Sequence, residues 1–153
     1  MLAESTIRSV IPAKIGQAWL MLDARCVQEI IGARPWVPVP RSSALVPGAL
    51  AWRGRAVAVF DLSVLAAAGE RLERGCQRHR TLIAESDGCL LAMPVDAIRE
   101  VQEIDASHVQ DARVTSLEHC PTEVEIFGTL APVIDLSSLV ASVLVAVAAG
   151  HDL

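Results

Sequence analysis

The run VPGALAWRGRAVAVFDLSVL, residues 46–65, contains two apolar segments on either side of Arg53-Gly54-Arg55. Residues 50–52 and 56–60 are rich in β-branched, aromatic and small apolar side chains, which is typical of β-strands. Gly54 can adopt the positive φ that a short connection between antiparallel strands requires. The run therefore predicts a β-hairpin.

Asp61 follows the second apolar segment of this hairpin. Its side chain can accept hydrogen bonds from the free N–H groups of a helix that starts at Leu62, so we expect a helix over residues 62–68. Arg53 places a guanidinium at the rim of an apolar hairpin, where it can bind a carboxylate or backbone carbonyls. A structural ion pair and a partner contact are both compatible with that position.

Parts of this run recur later in the chain. Residues 58–65 (AVFDLSVL) match residues 132–139 (PVIDLSSL) with an offset of 74, which places Asp135 at the position of Asp61. Residues 27–30 (VQEI) match residues 98–101 (IREV) with an offset of 71. Two matches in the same order indicate one structural unit that occurs twice, as paired subdomains.

Three further hairpins are expected around glycine-containing turns. They comprise residues 7–15 with 17–22, residues 81–85 with 89–93, and residues 123–127 with 129–134, and a single strand is expected over residues 100–104. The prolines between residues 34 and 47 indicate an extended loop. Residues 70–80 form the most charged stretch and are expected to be a solvated link between the halves.

Three additional helical segments are predicted. They cover residues 24–31 from their apolar spacing, residues 94–99 as a single turn with Pro94 at its first position, and the apolar run of residues 136–149. The last one is apolar on nearly every side, so we expect it to fill the groove between the subdomains or to dock on a partner. It is shorter than the roughly 20 residues that span a bilayer.

The composition of the chain argues against several classes of function. The chain has 153 residues, 52% apolar residues and a net charge of −5, which argues against nucleic-acid binding. Four cysteines without a Cys-x-x-Cys pair predict free, mostly buried thiols, and no metal or other cofactor is expected. The first residues lack the apolar core of a signal peptide, so we expect a cytoplasmic protein without direct membrane insertion.

The chain resembles the CheW-like family, the chemotaxis coupling proteins that link chemoreceptors to the histidine kinase CheA. Residues 47–62 resemble the family's Arg-Gly hairpin with its closing Asp-Leu. Residues 27–30 are similar to its VQEI segment, residues 93–101 to its second-subdomain segment, and residues 132–139 to its closing segment. The matches follow the family order from about residue 7 to residue 140.

The resemblance implies a mainly β fold of two intertwined SH3-like five-stranded β-barrels with short helices and an apolar C-terminal helix. It implies one CheW-like domain over residues 1–153. Subdomain one would cover about residues 16–70 and subdomain two about 80–135, with residues 7–15 and 136–149 packing across. Gly54, Asp61 and Asp135 would have structural roles in the hairpin and at the helix starts.

The resemblance also implies a non-enzymatic adaptor recruited to membrane-associated receptor arrays. Its partners would be the cytoplasmic tip of a methyl-accepting chemoreceptor and the regulatory domain of a CheA-type kinase. When the family's receptor-binding positions are transferred to this sequence, the implied receptor face comprises Val27, Glu29, Gly48, Arg53 and Val101. From the residues alone, Glu29 is a solvated acid, and Val27 and Val101, taken as equivalent in the repeat, pack in the core.

Several alternatives remain open. Ala58 and Ala51 stand where the family usually has proline and asparagine, and residues 105–121 match the family poorly, which fits a divergent scaffold or regulator of another chemosensory pathway. His119-Cys120 is a possible thiol-enzyme site, and Asp61 with Asp135 a possible acid/base pair, although helix capping explains both aspartates. A small-ligand barrel would require inward-facing polar groups, of which the strands show few.

Overall fold

The structure, a computed structural model, describes residues 7–40, 43–66, 78–112 and 119–148. These residues form two β-sheets, here called sheet I and sheet II, with few helices. In spatial order, sheet I contains β3 (Val27–Gly32), β7 (Arg80–Ser86), β8 (Cys89–Val95), β6 (Arg55–Val59), β5 (Gly48–Trp52) and β4 (Val37–Pro38).

Sheet II has the same layout. It contains β10 (Gln102–Asp105), β1 (Ile7–Ile15), β2 (Ala18–Asp23), β13 (Thr129–Val133), β12 (Thr122–Ile126) and β11 (Val109–Asp111), with β9 (Ala97–Ile98) beside β1. Helices α1 (Ser63–Ala66) and α2 (Leu136–Ala148) and the 3₁₀ turns Ala24–Cys26 and Ala106–His108 complete the described elements. The mainly β fold is confirmed: each sheet has five main strands, and the short β4, β9 and β11 are additions.

The internal repeat is visible in the hydrogen-bond register. Val59 pairs with Ala92 in a parallel bridge between β6 and β8, and Val133 pairs with Met21 in the corresponding bridge between β13 and β2. The second match also holds, because Val27 pairs with Ala84 and Ile98 pairs with Ala13. All four hairpins predicted from turn signals are present.

The two repeats exchange hairpins. The N-terminal hairpin β1–β2 belongs to sheet II together with the C-terminal strands, while β7–β8 belongs to sheet I together with β3–β6. Sheet membership therefore divides the chain differently from the subdomain bounds of about 16–70 and 80–135. Whether those bounds describe units that fold together stays a prediction.

Two predicted helical segments are wrong. Residues 24–31 form a 3₁₀ turn followed by β3, and Val27, Glu29 and Ile31 of β3 are half-buried while the residues between them are exposed. Residues 94–99 contain the end of β8 and the two-residue β9. In both places pairing with a neighbouring hairpin overrides the local helix signal, which is ambiguous in a run this short.

Three apolar cores hold the molecule together. The largest lies between the sheets and includes Ile15, Leu20, Leu82 and Met93, which are completely buried. Each sheet also encloses a smaller core of its own. That of sheet I includes Trp36, Leu50, Trp52, Val57 and Val59, and that of sheet II includes Val10, Met21, Val124, Ala131 and Val133.

Helix α2 is folded onto the shared core. Leu136, Leu139 and Val140 are buried and Val143 packs beside them, a helical stripe that seals the space between the sheets. Asp135 accepts a hydrogen bond from the Ser138 N–H at 3.1 Å and caps this helix. Within the described residues, no helix is both long and apolar enough to span a bilayer.

The predicted helix over residues 62–68 is described as α1, which begins at Ser63, and its last residues lie outside the described part. Residues 70–77 of the predicted link also lie outside it. Arg78, at the end of that link, is only 10% exposed, and its guanidinium lies 3.2 Å from Asp96. A solvated link is therefore the wrong description at this residue.

Candidate functional site

The hairpin β5–β6 presents a short, well-defined turn. Arg53 has φ 48° and Gly54 has φ 75°, so both central residues are left-handed, as a two-residue type I′ turn requires. Gly54 suits this geometry, and arginine is an uncommon choice for the first position. We call residues 52–55 the arginine tip.

The arginine tip holds a cluster of three side chains. A guanidinium nitrogen of Arg53 lies 2.8 Å from Oε2 of Glu29, and the same oxygen accepts a hydrogen bond from the Trp52 indole at 3.1 Å. The Arg53 guanidinium carbon lies 4.9 Å from the centre of the Trp52 ring. Trp52 is buried, whereas the Arg53 side chain is 70% exposed, so the cluster fixes a charged group at the surface.

The predicted site residues Glu29 and Arg53 are thus in direct contact although 24 positions separate them. Glu29 is only 33% exposed and is not the freely solvated acid that its neighbours in sequence suggest. Three strands separate β3 from β5 in the order of sheet I, so Glu29 reaches the tip because the sheet curls and brings these two strands together. Whether this cluster binds a receptor stays a prediction.

An apolar groove of about 520 Å³ adjoins the arginine tip. Its lining residues are Pro35, Trp36, Val37, Ala49, Leu50, Ala51, Gly54, Arg55 and Ala56. Arg34 borders it and donates a hydrogen bond to the carbonyl oxygen of Ala51 at 2.8 Å. Val37 is 65% exposed, so the groove offers apolar surface to a partner beside the charged tip.

Gly48 lies at the far end of β5 from the tip. It is buried, and a Cβ atom there would overlap the backbone oxygen of Val37 and the ring of Trp36. The glycine lets Trp36 and the Val37 backbone approach β5 closely, so the structure gives Gly48 a packing role close to the apolar groove.

Val27 and Val101 are not equivalent in the repeat. Val27 corresponds to Ile98 and is half-buried against the shared core. Val101 follows β9 in the other half, corresponds to Ile30 and is 54% exposed. Core packing is therefore the wrong expectation for Val101.

An ion-pair network that the sequence did not predict joins the two sheets. Arg78 lies 4.0 Å from Asp61 and 3.2 Å from Asp96, and Asp96 accepts a hydrogen bond from the Gly16 N–H at 2.7 Å. Asp61 is 1% exposed and also binds both the N–H and the hydroxyl of Ser63. Asp96 directly follows a strand signal, but the charged stretch around Arg78 gives no hint that this arginine is buried.

Cys120 is poorly suited to nucleophilic chemistry. It is 1% exposed, and burial raises the pKa of its thiol to about 11, so the thiolate is scarce at neutral pH. His119 uses Nδ1 to hydrogen-bond the Ser138 hydroxyl at 2.8 Å. The described residues contain no cluster of three or more His, Cys, Asp or Glu that could hold a metal ion.

A second groove, of about 350 Å³, lies where the two sheets and α2 meet, and Asp23, Cys26 and Asp135 line it. Partial burial opposes ionisation of Asp23, but hydrogen bonds from Arg25 and its charge outweigh this and hold the pKa of Asp23 below its ordinary value. Burial and the nearby Asp23 raise the pKa of the Cys26 thiol. Neither change produces a reactive group.

The family model "CheW-like domain" matches residues 9–144. The chain belongs to the CheW-like domain family. The predicted family is therefore confirmed, and the match covers both sheets and most of α2.

Individual relatives agree with this assignment. The curated protein "Chemotaxis protein CheW" of Rhizobium meliloti (strain 1021) is 25% identical over 103 residues, which are 67% of this chain and 65% of that protein. The match thus spans slightly less than two thirds of this relative. The crystal structure of the scaffolding protein TtCheW from Thermoanaerobacter tengcongensis superposes with a TM-score of 0.72 at 19% identity, covering 84% of this chain and 88% of that one, and supports the fold.

Proposed function

We propose that this CheW-like chain is a non-catalytic adaptor that couples chemoreceptors to a CheA-type histidine kinase at membrane-associated receptor arrays. Family membership supports the proposal, as do the names of the relatives, one a chemotaxis protein and one a scaffolding protein. The adaptor would hold receptor and kinase at fixed geometry. It would change the fraction of active kinase through its different affinities for the kinase's states.

The single observation that carries the proposal is the arginine tip. An exposed ion pair contributes only about 0–1 kcal/mol to stability, so stability alone does not account for arginine in a left-handed turn position. The pair with Glu29 and the contact with Trp52 hold the guanidinium in one orientation. A preorganised charged group beside an apolar groove is a typical anchor for a protein partner.

The receptor face would comprise Val27, Glu29, Gly48, Arg53 and Val101, with the tip supplying the charged contact and Gly48 shaping the groove. The kinase's regulatory domain would occupy a separate face. Reversible assembly into arrays calls for interfaces of modest area, on the order of 1,200 Å² or less in total. No group in this scheme performs chemistry.

Binding to purified partners tests the proposal. The cytoplasmic fragment of a chemoreceptor and the CheA-type kinase from the same cell are each titrated with wild type, Arg53→Ala and, as a control, Arg25→Ala. Arg25 is also an exposed arginine with a carboxylate partner, Asp23 at 3.0 Å. Receptor affinity is expected to fall at least about tenfold for Arg53→Ala and to stay unchanged for Arg25→Ala.

A charge exchange separates direct contact from positioning. The double variant Glu29→Arg with Arg53→Glu keeps an ion pair at the tip and reverses its direction. If Arg53 touches the receptor, the double variant binds as poorly as Arg53→Ala; if the pair only braces the hairpin, binding returns. Wild-type protein that binds neither receptor nor kinase would overturn the adaptor proposal.

A second candidate is a scaffold of another chemosensory pathway that does not bind the standard receptor. The sequence differences at Ala51 and Ala58 favour it: Ala51 lines the apolar groove, and Ala58 lies in β6 between β5 and β8. Kinase binding without binding of any receptor fragment from the same cell would support this candidate over the first.

A further inference from the structure

The hairpin β12–β13 ends in a surface that the adaptor proposal does not use. We call residues 126–129 the phenylalanine tip, because Phe127 occupies the position that Arg53 has in the other hairpin. Phe127 is 50% exposed, and its ring centre lies 5.3 Å from that of Trp19 with the planes tilted by 59°. Leu130, 36% exposed, extends the apolar surface.

The turn holds Phe127 in an unfavourable backbone conformation. Its φ is 52°, in the left-handed region that aspartate, asparagine and glycine tolerate best and bulky side chains avoid. The turn of β7–β8 has the same geometry and places Asp87 there, at φ 52°. A half-exposed aromatic ring at such a position gains little from burial, and backbone strain of this kind is concentrated at functional sites.

Two cations lie over the aromatic pair. The Arg99 guanidinium carbon is 5.5 Å from the centre of the Phe127 ring and 5.7 Å from that of Trp19, and Lys14 Nζ is 5.7 Å from Trp19. In the described part of the chain, Lys14 and Arg99 have no carboxylate within 4.0 Å, unlike Arg53 with Glu29. Their charges are therefore available to a partner.

We propose that the phenylalanine tip is a second docking surface, which binds an acidic segment of another protein. An apolar side chain of that segment would rest on Phe127 and Leu130, and its carboxylates would pair with Arg99 and Lys14. This inference does not depend on the adaptor proposal, because it uses the opposite hairpin and no residue of the arginine tip.

The charge of the phenylalanine tip favours an acidic protein segment over a membrane surface or a nucleic acid. Anionic membranes are recognised by clusters of roughly 4–8 basic residues, and this tip has two. Nucleic acid likewise requires several basic contacts along its phosphate backbone. Two fixed cations beside an exposed ring instead match a short segment in which acids flank an apolar residue.

Fluorescence anisotropy with a labelled peptide tests the inference. The probe is a short peptide of glutamate and aspartate around two leucines, and its control replaces each acid by the corresponding amide. The decisive variants are Phe127→Asn and Arg99→Gln. Asparagine suits the left-handed position, so Phe127→Asn removes the ring without disturbing the turn. Arg53→Gln is the matched control at the other tip.

The acidic peptide is expected to bind wild type and Arg53→Gln equally, and at least about tenfold more weakly to Phe127→Asn and Arg99→Gln. Binding should weaken with salt, and Glu125→Gln should strengthen it, because Glu125 lines the groove beside Phe127. Four results would overturn the inference: no binding by wild type, equal binding of the amide peptide, binding only to vesicles with anionic lipid, or self-association that Phe127→Asn abolishes.

Discussion

The two hairpin tips share one backbone and differ in chemistry. Both turns are left-handed at two successive residues, Arg53-Gly54 and Phe127-Gly128, and each hairpin is followed by a helix capped by aspartate. The arginine tip carries a closed ion pair over a buried tryptophan. The phenylalanine tip carries the half-exposed Phe127 beside the partly buried Trp19, under two cations that lack carboxylate partners in the described chain.

The fold therefore fixes the position of the side chain at the first residue of each turn and leaves its chemical identity open. The first position of a type I′ turn projects its side chain away from the sheet, so a substitution there changes the surface without repacking a core. A duplicated fold thereby offers two presentation sites that diverge independently. Substitutions at matched positions show how far the equivalence extends.

The largest difference is expected between the two capping aspartates. Asp61 is 1% exposed and binds Ser63 with Arg78 nearby, whereas Asp135 is exposed and caps α2 alone. Asp61→Ala should lower the free energy of unfolding by about 2–4 kcal/mol, since it removes the buried acceptor of Ser63 and leaves Arg78 with Asp96 alone. Asp135→Ala should cost about 1 kcal/mol.

Urea denaturation of both variants measures this difference. Asp61→Asn is the control that retains a cap and removes the charge, and it should lie between wild type and Asp61→Ala. Equal losses for Asp61→Ala and Asp135→Ala would show that the two caps are equivalent and that the Arg78 network contributes nothing to stability.

The smaller test concerns the turn glycines. Gly54 and Gly128 have φ 75° and 76°, and a Cβ on either would meet no atom within 4 Å. The cost of alanine is then purely conformational, so Gly54→Ala and Gly128→Ala should each lose about 1–2 kcal/mol. Thermal unfolding of the pair checks the prediction, and a difference between them larger than about 1 kcal/mol would contradict equivalent turns.

The smallest effect depends on pH. Cys120 corresponds in the repeat to Val46, both are buried in the shared core, and burial raises the pKa of the Cys120 thiol to about 11. The unfolded thiol ionises near pH 8.5, so this contribution is complete below that pH and is lost as the pH rises toward 11. The part of it lost by about pH 10 is about 1–2 kcal/mol, since each unit of pKa difference corresponds to about 1.4 kcal/mol.

Unfolding curves at neutral pH and near pH 10 measure this loss against Cys120→Val, which reproduces Val46. Other groups titrate in the same range, so the quantity that counts is the difference between the two proteins. The variant should lose less stability on going to high pH. Identical pH profiles would show that the Cys120 thiol is not protected from ionisation.

Local signals predicted the parts of the fold that local forces form. The hairpins were predictable because a glycine in each turn and apolar strands on either side act over a few residues, and Asp61 and Asp135 were predictable as caps for the same reason. The helix predicted over residues 24–31 failed because a short apolar run suits either a helix or a strand, and pairing of β3 with β7 selects the strand.

The candidate site was also predictable only where its signals are local. Arg53 was singled out by its turn, but its contact with Glu29 depends on the curl of sheet I, which brings β3 to β5 across three intervening strands. The cluster of Trp19, Phe127 and Arg99 has no sequence signal, because its members come from β2, the β12–β13 turn and the segment after β9.

By itself, the sequence of this CheW-like chain determined the duplicated unit, the four turns and the positions of both aspartate caps, since each depends on neighbouring residues. Only the tertiary structure decided that the two units exchange hairpins and that Arg78 is buried between Asp61 and Asp96. The physical reason is that strand partners and buried charges are selected by contacts between distant segments, whose energies depend on the whole core.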